Sequence, residues 1–228
     1  MKKYKLLLRT LGLLITVSTL QGQSSLNLVA GWHSANSHST LSTDFIKLES
    51  IERLTFGVIY DQKLDNLLSL RTGGIYKQNG FQIKESTQVN MLGTEIPIGV
   101  KAVAELNTIE VPLMLQYNVS GIKGIKPYLS MGPSFSYATS GQIRTKATAF
   151  LDWTLTSTPL NLESDDYNRL GINGNVAVGT KIEYNKGHFI TEINYASAFT
   201  SLTNESFIVD TGLRPKGWTI NIGYGLSF

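Results

Sequence analysis

From residue 26 to the end of the chain, apolar and polar positions alternate with a period of two. At 218–228 the even positions are Trp218, Ile220, Ile222, Tyr224, Leu226 and Phe228, and the odd ones are Thr219, Asn221, Gly223, Gly225 and Ser227. At 109–117 Ile109, Val111, Leu113, Leu115 and Tyr117 share one face, with Glu110 and Gln116 between them. Leu129, Met131, Phe135 and Tyr137 alternate with Ser130, Gly132, Ser134 and Ser136. At 170–184 Leu170, Ile172, Val176, Val178, Ile182 and Tyr184 oppose Asn173, Asn175, Lys181 and Glu183. Alternation sustained over about ten residues predicts β-strands long enough to cross a bilayer at a tilt. Weaker versions join Leu26, Leu28, Ala30 and Trp32; Leu54, Phe56, Val58 and Tyr60; Leu68, Leu70 and Tyr76; and Phe189, Ile193 and Tyr195. Eight strands are predicted, over 26–34, 51–61, 66–78, 104–118, 126–141, 168–185, 188–200 and 216–228.

A soluble sheet alternates too, so the chemistry of the polar face decides. Here that face is mostly Gly, Ser and Asn, which suits the narrow interior of a small barrel better than a water-facing surface. The connectors at 61–66, 118–125 and 185–187 are short, while the others run from about 15 to 26 residues, including the loops 79–103 and 142–167. Short turns at one end and long loops at the other are the asymmetry of transmembrane barrels. The expected fold is therefore all-β, an eight-stranded antiparallel up-and-down transmembrane β-barrel in the cell outer membrane with both termini periplasmic. With that orientation Tyr60, Tyr117, Tyr184, Phe189 and Phe228 point outward at the short-turn end. Trp32, Tyr76, Tyr137, Phe199 and Trp218 do so at the long-loop end, which makes two aromatic girdles.

The first residues follow a different pattern. Met1 to Lys5 is basic, Leu6 to Leu20 is apolar apart from Arg9 and a few polar positions, and Gln21-Gly22-Gln23-Ser24 follows. This is the layout of a secretory signal, with cleavage expected near Gly22, so that 1–22 is the signal and 23–228 the barrel domain. The signal would remove Lys2, Lys3, Lys5 and Arg9 from the 20 basic residues. The 16 that remain face 17 acidic ones, a net charge of −1, and no footprint for nucleic acid survives. The chain has no Cys, which excludes a lipid-modified N-terminus, disulfides and Cys-ligated metals.

The stretch Thr108-Ile109-Glu110-Val111-Pro112-Leu113-Met114-Leu115-Gln116-Tyr117, followed by Lys126-Pro127-Tyr128-Leu129-Ser130-Met131-Gly132-Pro133-Ser134, resembles the central hairpin of the PorT-like outer-membrane barrels of Bacteroidetes. That resemblance implies the barrel fold. Through its best-known member it also implies an accessory role in protein export by type IX secretion, with secretion-system proteins as partners. The last strand resembles the signal by which outer-membrane barrels are handed to their insertion machinery, with Ile222, Tyr224, Leu226 and Phe228 as the outward row. Lipid and lipopolysaccharide are the remaining partners expected of such a chain. The alternative reading is a structural or adhesion-type small barrel resembling the OmpA and OmpX membrane domains.

Little in the sequence points to catalysis. Arg71, Glu110, Lys181, Glu183 and Glu192 fall on the inward face, where a charge is costly unless paired, so ion pairs are expected there. If Lys186-Gly187 forms a two-residue turn, Asn185 faces His188, Tyr184 faces Phe189, and Lys181 pairs with Glu192. The three histidines are His33, His38 and His188. Ser34, Ser37 and Asp44 near the first two set no catalytic geometry, and two loop histidines are not a metal site. The expectation is a non-enzymatic protein without cofactor or metal. Pro112 and Pro133 lie inside central strands, lack a backbone N–H, and are expected to mark bulges.

Overall fold

The computed structural model describes residues 24–38, 49–91, 94–119, 123–148, 152–163, 167–201 and 214–228. The signal predicted at 1–22 lies outside them, as does Asp44. The described residues form nine strands in chain order: β1 (Ser24–His38), β2 (Ile51–Lys63), β3 (Leu68–Met91), β4 (Thr94–Asn118), β5 (Ile125–Thr148), β6 (Asp152–Pro159), β7 (Leu170–Tyr184), β8 (Gly187–Ala198) and β9 (Arg214–Ser227). All pairings are antiparallel, in the order β4-β3-β2-β1-β9-β8-β7-β5. A β4–β5 pairing joins the two ends into a closed eight-stranded barrel, and β6 pairs only with β5. At the short-turn rim the amide of Ser24 donates to the carbonyl of Phe228 at 2.9 Å, and the amide of Phe228 returns the bond at 2.9 Å. Closure leaves no open barrel edge, as a bilayer demands of any spanning sheet.

The burial pattern is inverted relative to a soluble protein. Leu28, Leu54, Val178 and Ile222 are exposed, whereas Asn27, Thr55, Arg71, Glu110, Gln116, Ser130 and Asn221 are buried. The alternation read from the sequence thus sets apolar side chains outward and polar ones into the lumen.

Three expectations about the fold need correcting. The segments 79–103 and 142–167 are not mainly loops. β3 and β4 stay in one register from Lys77↔Thr108 to Met91↔Thr94. β4 remains paired with β5 up to Gly99↔Thr148, and β6 pairs with the upper part of β5. Gln82, Lys84 and Gln88 dilute the apolar period there. Yet Phe81, Ile83, Val89, Ile98 and Val100 still favour the extended chain. Below this level β5 pairs with β7 over Ile125–Tyr137, and above it with β6 from Gln142.

The bulge is also elsewhere. Pro112↔Ser134 and Pro133↔Gly174 keep their strands in register. The missing N–H groups leave gaps, the first opposite Gly73 and Gly74 in the β3–β4 ladder. The register shift falls where Asn107↔Ser140 gives way to Thr108↔Ala138, so Thr139 is the extra residue. This bulge sits where the barrel gives way to the four-stranded sheet β3-β4-β5-β6, which the Glu49–Gln82 bridge still ties to the chain before β2.

The β7–β8 turn differs as well. Asn185 adopts a φ of 53°, and Tyr184 pairs with Gly187, so Asn185-Lys186 is the turn. Asn accepts this left-handed conformation more readily than Lys does, which moves the turn one residue back and slides the partner strand by two. Lys181 therefore faces Ile190, Glu192 faces Gly179, and Phe189 faces Ile182.

Candidate functional site

The lumen is built in layers by residues of one parity on each strand. Nearest the short turns, His188 Nε2 lies 2.8 Å from Asn27 Oδ1, and Asn27 Nδ2 donates to Asp61 Oδ2 at 3.0 Å. Asp61, the last inward acid of β2, takes Arg71 Nε at 2.8 Å and Lys181 Nζ at 2.7 Å. The other side of the Arg71 guanidinium bonds Glu192. Glu192 also accepts from the Tyr128 hydroxyl at 2.7 Å and from Asn221 Nδ2 at 3.2 Å. Arg71 lies over the Tyr128 ring, 4.8 Å from its centroid. Higher in the barrel, Lys77 Nζ meets Glu110 Oε2 at 2.7 Å. Ser134 Oγ donates to Glu110 Oε1 at 2.5 Å, and Asn175 Nδ2 donates to Ser134 Oγ at 2.7 Å. Above that, His33 Nδ1 is 2.9 Å from Thr219 Oγ1 and its Nε2 is 3.1 Å from Asn79 Oδ1.

Three cations, Arg71, Lys77 and Lys181, stand against three anions, Asp61, Glu110 and Glu192. Each charge is compensated inside the wall, which is the condition for holding it in a low-dielectric interior. The spaces left between these layers are about 30 Å³ beside His33 and Lys77 and about 20 Å³ beside Arg71 and Glu192. A space of this kind needs about 10–15 Å³ to hold a water, so each has room for a water or two and neither is a channel. A wider polar mouth of about 540 Å³ opens at the short-turn end, with Asp61, Lys181 and His188 in its wall.

The outer wall is a lipid-facing surface with aromatic residues near its ends. Trp32, Tyr117, Tyr137, Tyr184, Phe189 and Trp218 are exposed, and Tyr60 and Tyr76 are half-buried. Tyr76 stacks on Phe56 with ring centroids 5.0 Å apart, and Tyr195 meets Trp218 at 4.7 Å. At the other rim Phe189 touches Tyr184 at 5.7 Å and Tyr224 at 5.2 Å. A polar interior inside an apolar, aromatic-rimmed wall matches the family described as outer membrane protein beta-barrel domain, whose model aligns with residues 18–204. The chain belongs to this family.

No curated protein matches this outer-membrane barrel. Among solved structures it is similar to Neisserial surface protein A (13% identity, TM-score 0.41, covering 91% of this chain and 100% of that one). It is also similar to OprG of Pseudomonas aeruginosa (14%, TM-score 0.44, 91% and 96%). A third is Ail, the attachment invasion locus protein of Yersinia pestis (14%, TM-score 0.38, 91% and 100%). Likenesses this distant carry no weight for function.

The structure pairs Lys181 with Asp61 and Glu192 with Arg71, in place of the Lys181–Glu192 pair expected from the hairpin. Glu110 binds Lys77, and Glu183 lies at the rim with Lys126. Asp61 and Lys77 escaped the sequence reading although their parity on β2 and β3 is inward. Asp61 stands where the predicted second strand meets its connector, and Arg71 is the one inward residue of the third strand that the sequence analysis singles out. His33 points into the lumen, while Ser34 on the opposite face donates to Glu52 Oε1 at 2.9 Å, so the two do not form a catalytic pair. The side chain of His38 lies outside the described residues. Among the described residues no cluster of three or more His, Cys, Asp or Glu is placed to hold a metal ion. Ile222, Tyr224, Leu226 and Phe228 form one exposed row on β9.

The sheet above the barrel has its own small cores. Val103 packs with Ala35 and Ile51 from the tips of β1 and β2. Leu106, Ala138 and Leu162 form a second cluster, with Leu160 and Tyr167 against it. Between these clusters Glu105 is held by Arg53, by Gln142 Nε2 at 2.8 Å and by Arg144 Nη2 at 3.4 Å.

Proposed function

We propose that this outer-membrane protein is a non-enzymatic display scaffold. The filled barrel anchors it, and the sheet β3-β4-β5-β6 makes its contacts outside the cell. The observation that carries this reading is the length of β3, β4 and β5, at 24, 25 and 24 residues. A strand needs only about 9–11 residues to cross the bilayer, so more than half of each serves something other than anchoring. The short turns and both termini then face the periplasm. The exposed row Ile222 to Phe228 is the feature offered to the insertion machinery, and lipid and lipopolysaccharide surround the aromatic-rimmed wall.

The test is an epitope inserted between Met91 and Thr94, together with a variant in which 82–103 is replaced by a two-residue turn. The epitope should be labelled on intact cells. The shortened protein should still insert while cells carrying it lose attachment to surfaces or to one another. An epitope labelled only after the outer membrane is broken would overturn the orientation, and unchanged attachment would overturn the display role. The export role implied by the central hairpin is the competing reading. It requires that deleting the gene strand cargo proteins in the periplasm, and normal secretion in that strain would remove it.

A further inference from the structure

We propose that the outer end of the barrel holds a binding site for one small apolar molecule, of the size of a short-chain alkylbenzene. A cavity of about 180 Å³ lies where the barrel gives way to the sheet, walled by Phe81, Ala104, Leu106, Ile143, Leu160 and Leu162. An apolar cavity of roughly 150 Å³ in another protein stays dry and takes up benzene, so this space suits one ring with a few added carbons.

The polar groups near it are few and lie at its margin: Ser37, Glu105, Tyr167 and Asn168. The two oxygens of Glu105 are taken by Arg53, Gln142 and Arg144. The side-chain oxygen of Asn168 accepts from the Leu170 amide at 3.3 Å. Among the described residues, buried side-chain atoms without a hydrogen bond occur elsewhere, at Gln116, Ser130, Thr180 and Asn194. The wall is mostly aliphatic and aromatic, so the chemistry selects a predominantly apolar molecule, with the hydroxyls of Ser37 and Tyr167 at the edge of the space.

The site is also a dead end. Leu106, Ala138 and Leu162 pack beneath it, and the far side of Leu106 borders the polar void of about 30 Å³ beside His33 and Lys77. A molecule entering from outside meets the charged layers below and stops. This makes a capture site and not a stage of transport, and it does not depend on the display role.

The experiment uses the full barrel in lipid nanodiscs with isotope-labelled Leu, Ile and Ala methyl groups and n-propylbenzene as the probe. Saturable ligand-to-methyl contacts are expected at Leu106, Ile143, Leu160 and Leu162. Ala104→Phe should fill the space and weaken them at least tenfold while the barrel still migrates as a folded species. Should that variant fail to fold, Ala138→Leu is the second filling variant. Leu162→Ala should admit the longer n-hexylbenzene. Contacts confined to lipid-facing methyls such as Leu28 and Ile222 would overturn the site. So would binding that survives the filling variants, or another segment of the chain found in the space before ligand is added.

Discussion

At the scale of single residues, Arg71 is the hub of the lumen. It is fully buried, binds Asp61 and Glu192, and rests on Tyr128. Arg71→Met leaves two carboxylates facing one remaining lysine, and breaking a buried pair in this way costs about 3–5 kcal/mol. Adding Glu192→Gln should recover much of that loss, because Asp61 and Lys181 then remain as a matched pair. Urea unfolding in lipid, followed by Trp fluorescence, reads both variants. Lys181 supplies a sharper check. Its coupling to Asp61 in a double-mutant cycle should fall within the ~0.5–3 kcal/mol range of contacting groups and exceed its coupling to Glu192. The reverse order would restore the pairing suggested by the sequence. Parity placed Arg71, Glu110, Lys181 and Glu192 in the lumen, but partner choice was not legible. Arg71 and Glu192 are 121 residues apart and meet only after closure. Across the hairpin, a turn moved by one residue changes every facing pair.

At the scale of elements, strands with a strict apolar row were legible almost to the residue. β2 was expected over 51–61 and spans Ile51–Lys63, and β8 was expected over 188–200 and spans Gly187–Ala198. The upper halves of β3, β4 and β5 and all of β6 were not, because in the display reading proposed above they stand clear of the lipid. Outside the bilayer a strand has no need of an all-apolar face, so the period that identifies the lower strands fades. The same reasoning predicts independence of the two parts. Replacing 82–103 by a two-residue turn removes the β3–β4 and β4–β5 pairs above Phe81↔Ala104, the Glu49–Gln82 bridge and the contact of Val103 with Ala35 and Ile51, and leaves the barrel ladders intact. The barrel should keep its heat-dependent gel shift and lose a few degrees of thermal stability. A variant found only unfolded would mean that the sheet is part of the folding nucleus. The β7–β8 turn offers a second element-level test. Asn185→Gly should be nearly neutral at a φ of 53°, while Asn185→Val should destabilise by about 1 kcal/mol or more. Equal effects would mean that the left-handed conformation is not required there.

At the scale of the whole molecule, an eight-stranded barrel is just wide enough for its own side chains, and this one fills the space with a charge-balanced network. Its wall and its lumen make separate predictions. Phe228 is exposed at the rim, where its backbone closes β9 onto β1. Shifting the terminus by deleting it should lower the amount inserted in cells far more than the unfolding midpoint of barrel refolded in lipid. Equal losses would reduce it to an ordinary rim aromatic. The lumen prediction is about conduction. The spaces of about 30 and 20 Å³ between the charged layers have room for only a water or two, so an ion would have to displace Arg71, Glu192, Lys77 or Glu110 to pass. In planar bilayers the intact protein should show no discrete current steps. Replacing Arg71 and its two carboxylates without shrinking them, with Arg71→Gln, Asp61→Asn and Glu192→Gln together, should leave it closed, because the bulk that fills the lumen remains. Trimming the same three residues to Ala removes that bulk and should produce small, steady currents if the variant folds. Steps from the intact barrel would mean that the layers open at equilibrium, and the anchor would then have to be read as a pore.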